Sequence, residues 1–122
     1  MGILDRFFNK RTGIRGEDVA CKYLRKKGYR ILARNYDLGF AELDIVAEKG
    51  GSAVFVEVKT RTTQNGPHPE EAVDARKLRK IEGGAEAFLA RNGIADASWR
   101  IDIIAVEQTD SGLKVTKHIE GA

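Results

Sequence analysis

The chain has 122 residues, of which 42% are hydrophobic and 32% are charged, as expected for a globular protein with one domain and its own core. Its longest apolar runs have the length of strands, and its N-terminus has no cleavage-site pattern, so we expect neither a membrane span nor a signal peptide. The single cysteine, Cys21, has no partner for an internal disulfide, which fits a cytoplasmic protein.

Charge is unevenly distributed along the chain. The formal net charge is +3, but residues 1–34 carry +7, residues 35–75 carry −5 and residues 76–91 carry +3. Basic segments on both sides of an acidic one are compatible with binding of a polyanion, whose phosphates the lysines and arginines would hold around an acidic centre. Solvated basic helices are the alternative, and from charge alone they are the better interpretation.

Helical and extended patterns predict an α/β fold. Residues 1–13 show no clear period and are expected to form a loose basic arm, followed by a single domain over residues 14–122. In chain order, the domain is predicted to contain a helix at 16–27, a strand at 30–35, a hairpin at 41–59, a polar loop at 61–69, a helix at 70–92 and strands at 99–106 and 113–119. Two adjacent glycines inside the second helix indicate close packing, a kink or a break.

The hairpin contains the most informative pattern. Its glycine pair at 50–51 favours a two-residue turn, in which Lys49 pairs with Ser52. In that register Asp44 lies directly opposite Glu57, whereas a three-residue loop would place them on different faces. Like charges in opposed positions destabilise a sheet. A divalent metal ion would account for the pair, because Mg²⁺ sites use one or two carboxylates together with substrate phosphate.

These residues fit metal-assisted hydrolysis of a phosphodiester bond. Asp44 and Glu57 would bind Mg²⁺ or Mn²⁺, with the backbone carbonyl of Val58 between them. Lys59 shares a face with Glu57 and would hold the attacking water or stabilise the transition state. Glu42 would pair with Lys59 across the hairpin or contact the metal itself.

Further charged residues are candidates for the same site. Arg61, next along the face, would bind a neighbouring phosphate. Glu17 would join the site if the first helix begins near the hairpin, although an acid there also compensates the helix dipole. In the second helix Arg76, Lys77 and Lys80 are either DNA contacts or a solvated face, and we favour DNA contacts with Lys77 foremost.

The ordered set of motifs resembles the YraN family of small bacterial proteins over about residues 15–106. The matching segments are Gly16-Glu17, Gly28-Tyr29, Glu42-Leu43-Asp44-Ile45-Val46, Phe55-Val56-Glu57-Val58-Lys59-Thr60-Arg61 and Arg100-Ile101-Asp102. The resemblance implies a restriction-endonuclease-like fold, a central mixed β-sheet flanked by α-helices, similar to that of archaeal Holliday-junction resolvases. It also implies a nuclease-type metal site and allows a homodimer.

By that match the catalytic residues are Glu17, Asp44, Glu57 and Lys59, with Glu17 also at the metal. Glu42 and Arg61 take supporting roles, and Lys77 contacts the substrate. The function expected is that of a metal-dependent endonuclease acting on branched or single-stranded DNA. The alternatives are a DNA-binding module of the same fold that cuts slowly or only with a partner, and a protein whose basic surfaces bind an acidic protein.

Overall fold

The computed structural model describes the backbone of residues 3–62 and 73–122, and the side chains in these ranges from Arg15 onward. These described residues form two helices and five strands in the predicted order: α1 (Ile3–Lys26), β1 (Arg30–Asp37), β2 (Glu42–Lys49), β3 (Ser52–Arg61), α2 (Ala75–Arg91), β4 (Trp99–Thr109) and β5 (Gly112–Ile119). No helix of the described chain is long and apolar enough to cross a membrane.

The five strands form one sheet in the order β1-β2-β3-β4-β5. β3 and β4 run parallel, and every other neighbouring pair is antiparallel. A parallel pair needs a long crossover connection, and here it contains α2. The sheet is therefore mixed, and the predicted α/β architecture with a central mixed sheet flanked by helices is confirmed.

The hairpin of β2 and β3 has the predicted register from Lys49, opposite Ser52, to Ile45, opposite Val56. Its two turn glycines have φ angles of 61° and 82°. A two-residue turn that matches the twist of its strands needs positive φ at both central positions. The glycine pair therefore fixes the register of the hairpin.

The core has two layers, one on each face of the sheet. On the α1 face, Ala20, Cys21 and Leu24 pack against β2, β3 and β4. On the opposite face, Ile81, Ala85, Phe88 and Leu89 of α2 pack against the sheet. The helical spacing of these apolar residues had predicted both buried faces.

The N-terminal segment differs from expectation, since residues 3–13 are helical and continue into α1 rather than forming a loose arm. The segment contains no proline, and Gly13 and Gly16 each cost only about 1 kcal/mol inside a helix. A lack of apolar period therefore did not mean a lack of helix. The division between arm and domain stays a prediction.

The second helix begins later than predicted. Asp74 is its N-cap, and the Asp74 carboxylate accepts a 2.9 Å hydrogen bond from the backbone N–H of Lys77, which satisfies a donor at the helix start. The predicted start at 70–72 and most of the predicted polar loop lie outside the described residues.

The helix continues through Gly83 and Gly84, and close packing explains the second glycine. A Cβ added to Gly84 would lie 3.0 Å from Cδ2 of Leu43 and 3.3 Å from Cδ1 of Leu38. Glycine therefore lets α2 approach the loop and the start of β2, where the candidate site begins.

Candidate metal and nucleic-acid site

The hairpin opens at Asp44, one residue beyond the last paired position of β2. Asp44 Oδ2 accepts a 2.9 Å hydrogen bond from the backbone N–H of Val58, so a side-chain carboxylate is the acceptor for this strand N–H. Leu43 packs in the α2 layer although Ile45 packs in the α1 layer, which breaks the alternation of a regular strand. The Asp44 carboxylate thus lies where β2 and β3 separate.

Asp44 and Glu57 are neighbours, although the paired ladder ends at Ile45 and Val56 and does not include them as an opposed pair. Burial raises the pKa of Asp44 from 3.8 to about 7, and the adjacent Glu57 raises that pKa as well, while the Val58 N–H lowers it. Two carboxylates this close cannot both ionise cheaply in a low-dielectric site. The Asp44 carboxyl therefore keeps its proton to a higher pH than an exposed aspartate would, and a bound cation would favour release of that proton.

Two lysines reach Glu57 from different elements. Lys59 Nζ and Lys77 Nζ each lie 3.5 Å from Glu57 Oε1, and the Glu57 side chain is only 6% exposed. Lys59 follows Glu57 on the same face of β3, and Lys77 is at the start of α2. The predicted pairing of Lys59 with Glu42 is wrong, because the β2–β3 ladder ends before Glu42 and Lys59 pairs with Glu57 instead.

Glu17 approaches the same corner from α1. The close contact of α1 with β3 depends on Gly16, where an added Cβ would lie 2.0 Å from Oγ1 of Thr60. Glu17 then interacts electrostatically with both Asp44 and Glu42. Burial raises the pKa of Glu17, and its Oε2 atom is buried with no hydrogen-bond partner. The structure therefore brings Glu17 to the site where the sequence could only suggest it.

Asn35 is a site residue to which the sequence pattern assigned no role. Its side chain hydrogen-bonds to Glu17 and lowers the Glu17 pKa, opposing the effect of burial. Among the described non-glycine residues Asn35 alone has positive φ, 49°, a conformation that asparagine tolerates better than most residues. The available signals were an asparagine at the end of the predicted strand and its match to the family pattern, and neither indicated a role.

The predicted DNA-contacting residues differ in position. A cavity of about 350 Å³ is lined by Ala41, Glu42, Asp44, Lys77, Lys80 and Ile81, so two of the cations lie beside the carboxylates. Arg76 is exposed on the first turn of α2. Arg61 instead donates a 2.7 Å hydrogen bond to Glu107 of the neighbouring strand, with both side chains less than one-fifth exposed. Lys77 and Lys80 are therefore best placed to meet a phosphate.

The residues at this corner could supply some of the ligands of a hard divalent cation. Asp44 and Glu57 offer carboxylate oxygens, and the unpartnered Oε2 of Glu17 is a third oxygen nearby, the donor type that Mg²⁺ and Mn²⁺ prefer. Within the described residues, no three His, Cys, Asp or Glu side chains form a ready metal cage. A metal ion at this corner stays a prediction. A contact through the Val58 carbonyl stays a prediction.

A second polar cluster stabilises β4 and β5 apart from the candidate site. Asp102 is fully buried and accepts a 3.0 Å hydrogen bond from Arg100 and one of 3.1 Å from the backbone N–H of Gly121. His118 Nε2 lies 2.8 Å from the same carboxylate, and His118 Nδ1 lies 3.0 Å from the hydroxyl of Tyr23. The cluster links α1 to two strands.

Comparison with known proteins gives the family. A model of "Uncharacterised protein family UPF0102" matches residues 16–106. UPF0102 proteins of Pelobacter propionicus and Geobacter sulfurreducens are 44% and 43% identical over 116 and 114 residues. Each alignment covers 93% of this chain, with 83% and 89% of the respective relative.

A solved structure, Pyrococcus furiosus SfsA in complex with Ca²⁺, is similar with a TM-score of 0.42 and 17% identity. The match covers 91% of this chain and 64% of that one, so the chain spans less than two thirds of its length. The extent of the family match and the identity to these relatives show that this chain belongs to the UPF0102 family, the YraN family that its motifs resemble.

Proposed function

We propose that this protein is a divalent-metal-dependent endonuclease that hydrolyses phosphodiester bonds in branched or single-stranded DNA. The observation that carries the proposal is the convergence of Asp44, Glu57 and Lys59 where β2 and β3 separate, with Lys77 facing them from α2. An exposed hairpin face with ordinary ion pairs would not require a buried carboxyl whose pKa is raised to about 7.

Asp44 and Glu57 would hold the metal, which when bound neutralises charge on the scissile phosphate and lowers the pKa of a bound water. Asp44 gives up its proton on ionising, and its hydrogen bond from the Val58 N–H keeps the carboxylate oriented. Lys59 remains within reach of Glu57 and donates to a phosphate oxygen or to the attacking water. The unpartnered Glu17 oxygen would be available to the metal, or to a water bound to it, at the same corner.

Substrate recognition would proceed mainly through phosphates. Lys77 and Lys80 line the cavity beside Asp44, and Arg76 extends the basic surface of α2. Phosphate contacts give affinity and orientation without sequence information. The preference for branched or single-stranded DNA rests on the family resemblance.

A second candidate is a DNA-binding module that cuts slowly or only with a partner. It is favoured by the two lysines already paired with Glu57, because they neutralise this carboxylate without a metal. In that case Lys59 and Lys77 would remain on Glu57 while other basic residues bound the DNA backbone.

The two functions are separated by measuring cleavage and binding on the same DNA panel: linear duplex, single strand, flap and four-way junction, each with Mg²⁺ or Mn²⁺. An endonuclease cuts at least one substrate, and Lys59→Met abolishes turnover while DNA affinity persists. The matched control is Lys22→Met, which removes one exposed lysine of α1 outside the site and should keep wild-type turnover. Binding without cleavage of any substrate would reject the stand-alone nuclease and favour the module.

A further inference from the structure

Phe40 is the most exposed large apolar side chain in the described part of the chain, with 54% of its surface accessible. It lies at the tip of the turn between β1 and β2. The Leu38 N–H donates a 2.8 Å hydrogen bond to the Ala41 carbonyl across this turn, and the Gly39 N–H donates one of 2.8 Å to the Asp37 carboxylate. Gly39 has a φ of 88°, as the first position of such a turn favours. The turn therefore holds an exposed aromatic ring on an ordered support.

The ring of Phe40 lies beside α2 at a position that leaves it uncovered. A Cβ added to Gly83 would lie 3.7 Å from Cε2 of Phe40, so the ring borders the helix at a residue with no side chain to hide it. Lys80 precedes Gly83 by three residues and is its neighbour on the helix surface, about 4.5 Å along the axis. An aromatic surface and a lysine are thus adjacent.

The same turn borders the cavity of the candidate site. Ala41, the residue after Phe40, lines that cavity together with Asp44, Lys77 and Lys80. A single exposed apolar side chain is ordinary on a protein surface. Phe40 differs from the exposed Ile94 in its place, because the residue next to it in the chain lines a cavity that combines carboxylates with lysines.

We propose that Phe40 is a stacking platform for an unpaired nucleobase of DNA, with the phosphate next to that base held by Lys80 and Lys77. The inference rests on the proposed function and deepens it by naming the feature of the substrate that is recognised. Bases stack on aromatic side chains regardless of sequence. In a continuous duplex both faces of a base are covered by its neighbours, so the platform selects strands with unstacked bases, as in single strands, flaps and junctions.

The test is DNA binding in the presence of EDTA, so that cleavage plays no part. Affinities for a fluorescently labelled single strand and its perfect duplex are measured for wild type, Phe40→Leu and Phe40→Tyr. Because Phe40→Leu loses one base stack, its affinity for the single strand should fall about 5- to 150-fold, while its affinity for the duplex stays unchanged. Phe40→Tyr keeps a ring and should bind like wild type. The control is Ile94→Ala, which removes another exposed apolar side chain, 40% accessible, beyond the end of α2.

The outcomes separate this inference from the proposed function. If wild type binds DNA and Phe40→Leu binds the single strand equally well, the stacking platform is wrong and the nuclease proposal stands. If Phe40→Leu loses the same affinity for single strand and duplex, the stacking platform is also overturned. A duplex offers no unpaired base to Phe40, so loss of the stack should not weaken duplex binding. If wild type binds neither DNA, the stacking platform is overturned, while the nuclease proposal is decided separately by cleavage with Mg²⁺ or Mn²⁺.

Discussion

Replacing Asp44 with asparagine should stabilise the folded protein at high pH. The pKa of Asp44 is raised from 3.8 to about 7 by burial and by Glu57, so the folded state keeps the proton that the unfolded chain loses. As pH rises through this interval, ionisation of the unfolded chain favours unfolding. The resulting loss of stability is absent well below pH 3.8 and complete above about pH 7.

The magnitude follows from the pKa interval. Each tenfold difference in proton affinity is worth about 1.4 kcal/mol, so the loss from Asp44 is about 1 kcal/mol at pH 4.5 and about 4 kcal/mol at pH 8. An asparagine side chain at this position has nearly the same shape, carries no charge and can still accept the hydrogen bond from the Val58 N–H. We therefore expect Asp44→Asn to be about 2 to 4 kcal/mol more stable than wild type at pH 8, with much less difference at pH 4.5.

Urea unfolding at several pH values between 4.5 and 8, in EDTA, measures this difference. Glu48→Gln is the matched control, because Glu48 is on the same strand in an exposed ion pair with Arg30, which should contribute little at any pH. A free energy of unfolding that is lower for Asp44→Asn than for wild type at pH 8 would refute the reasoning. So would a gain in stability that is the same at both ends of the pH range.

Three further predictions concern the metal, the packing of α2 and the buried cluster. Mn²⁺ at ten times its dissociation constant should stabilise wild type at pH 8 by about 1.4 kcal/mol and leave Asp44→Asn unchanged, as measured by thermal unfolding; equal effects on both would contradict a site at Asp44. Gly84→Ala should destabilise the protein by about 1 to 3 kcal/mol through contact with Leu43. An added Cβ at Gly83 has more room, so Gly83→Ala should stabilise the protein by up to about 1 kcal/mol. If urea unfolding gave the same change in stability for Gly83→Ala and Gly84→Ala, α2 would not pack against Leu43 as described. Asp102→Asn should cost about 2 to 3 kcal/mol, because it removes charged hydrogen bonds in the core, and a loss below about 0.5 kcal/mol would show that the cluster is not stabilising.

The parts of the fold set by local chemistry were predictable from sequence. The glycine pair at 50–51 fixed the hairpin turn, and period-2 alternation then fixed the pairing as far as Ile45 and Val56. The apolar stripe of α2, from Ile81 to Leu89, likewise predicted which side of that helix is buried. Such patterns depend on residues close in sequence, which is why they could be read without a structure.

The position of Glu17 depended on contacts between distant segments. Its approach to Asp44 requires α1 to pack against β3 where Gly16 meets Thr60, two residues far apart in sequence. Nothing in the local pattern distinguishes a glycine that allows this approach from one that merely weakens a helix. The αL conformation of Asn35, which positions the hydrogen bond to Glu17, was equally hidden.

The pairing of the charged residues was the other part that the sequence could not settle. Asp44, Glu57 and Lys59 come together as predicted, but Lys59 pairs with Glu57 rather than Glu42 because the strands separate at Asp44. A strictly regular hairpin would have continued the ladder. At this point the Asp44 carboxylate, rather than a backbone carbonyl, accepts the hydrogen bond from a strand N–H. Sequence periodicity does not predict that a side chain takes over this role.

The most direct test of the central claim is cleavage of four-way-junction, flap and single-stranded DNA with Mn²⁺ by wild type, Asp44→Asn and Glu48→Gln. If the corner formed by Asp44 and Glu57 is a metal-dependent active site, wild type and Glu48→Gln cut at least one of these substrates at similar rates. Asp44→Asn should then be slower by about 100-fold or more while remaining folded. Cleavage by Asp44→Asn at the wild-type rate would contradict the account, as would binding of these DNAs by wild type with no cleavage of any.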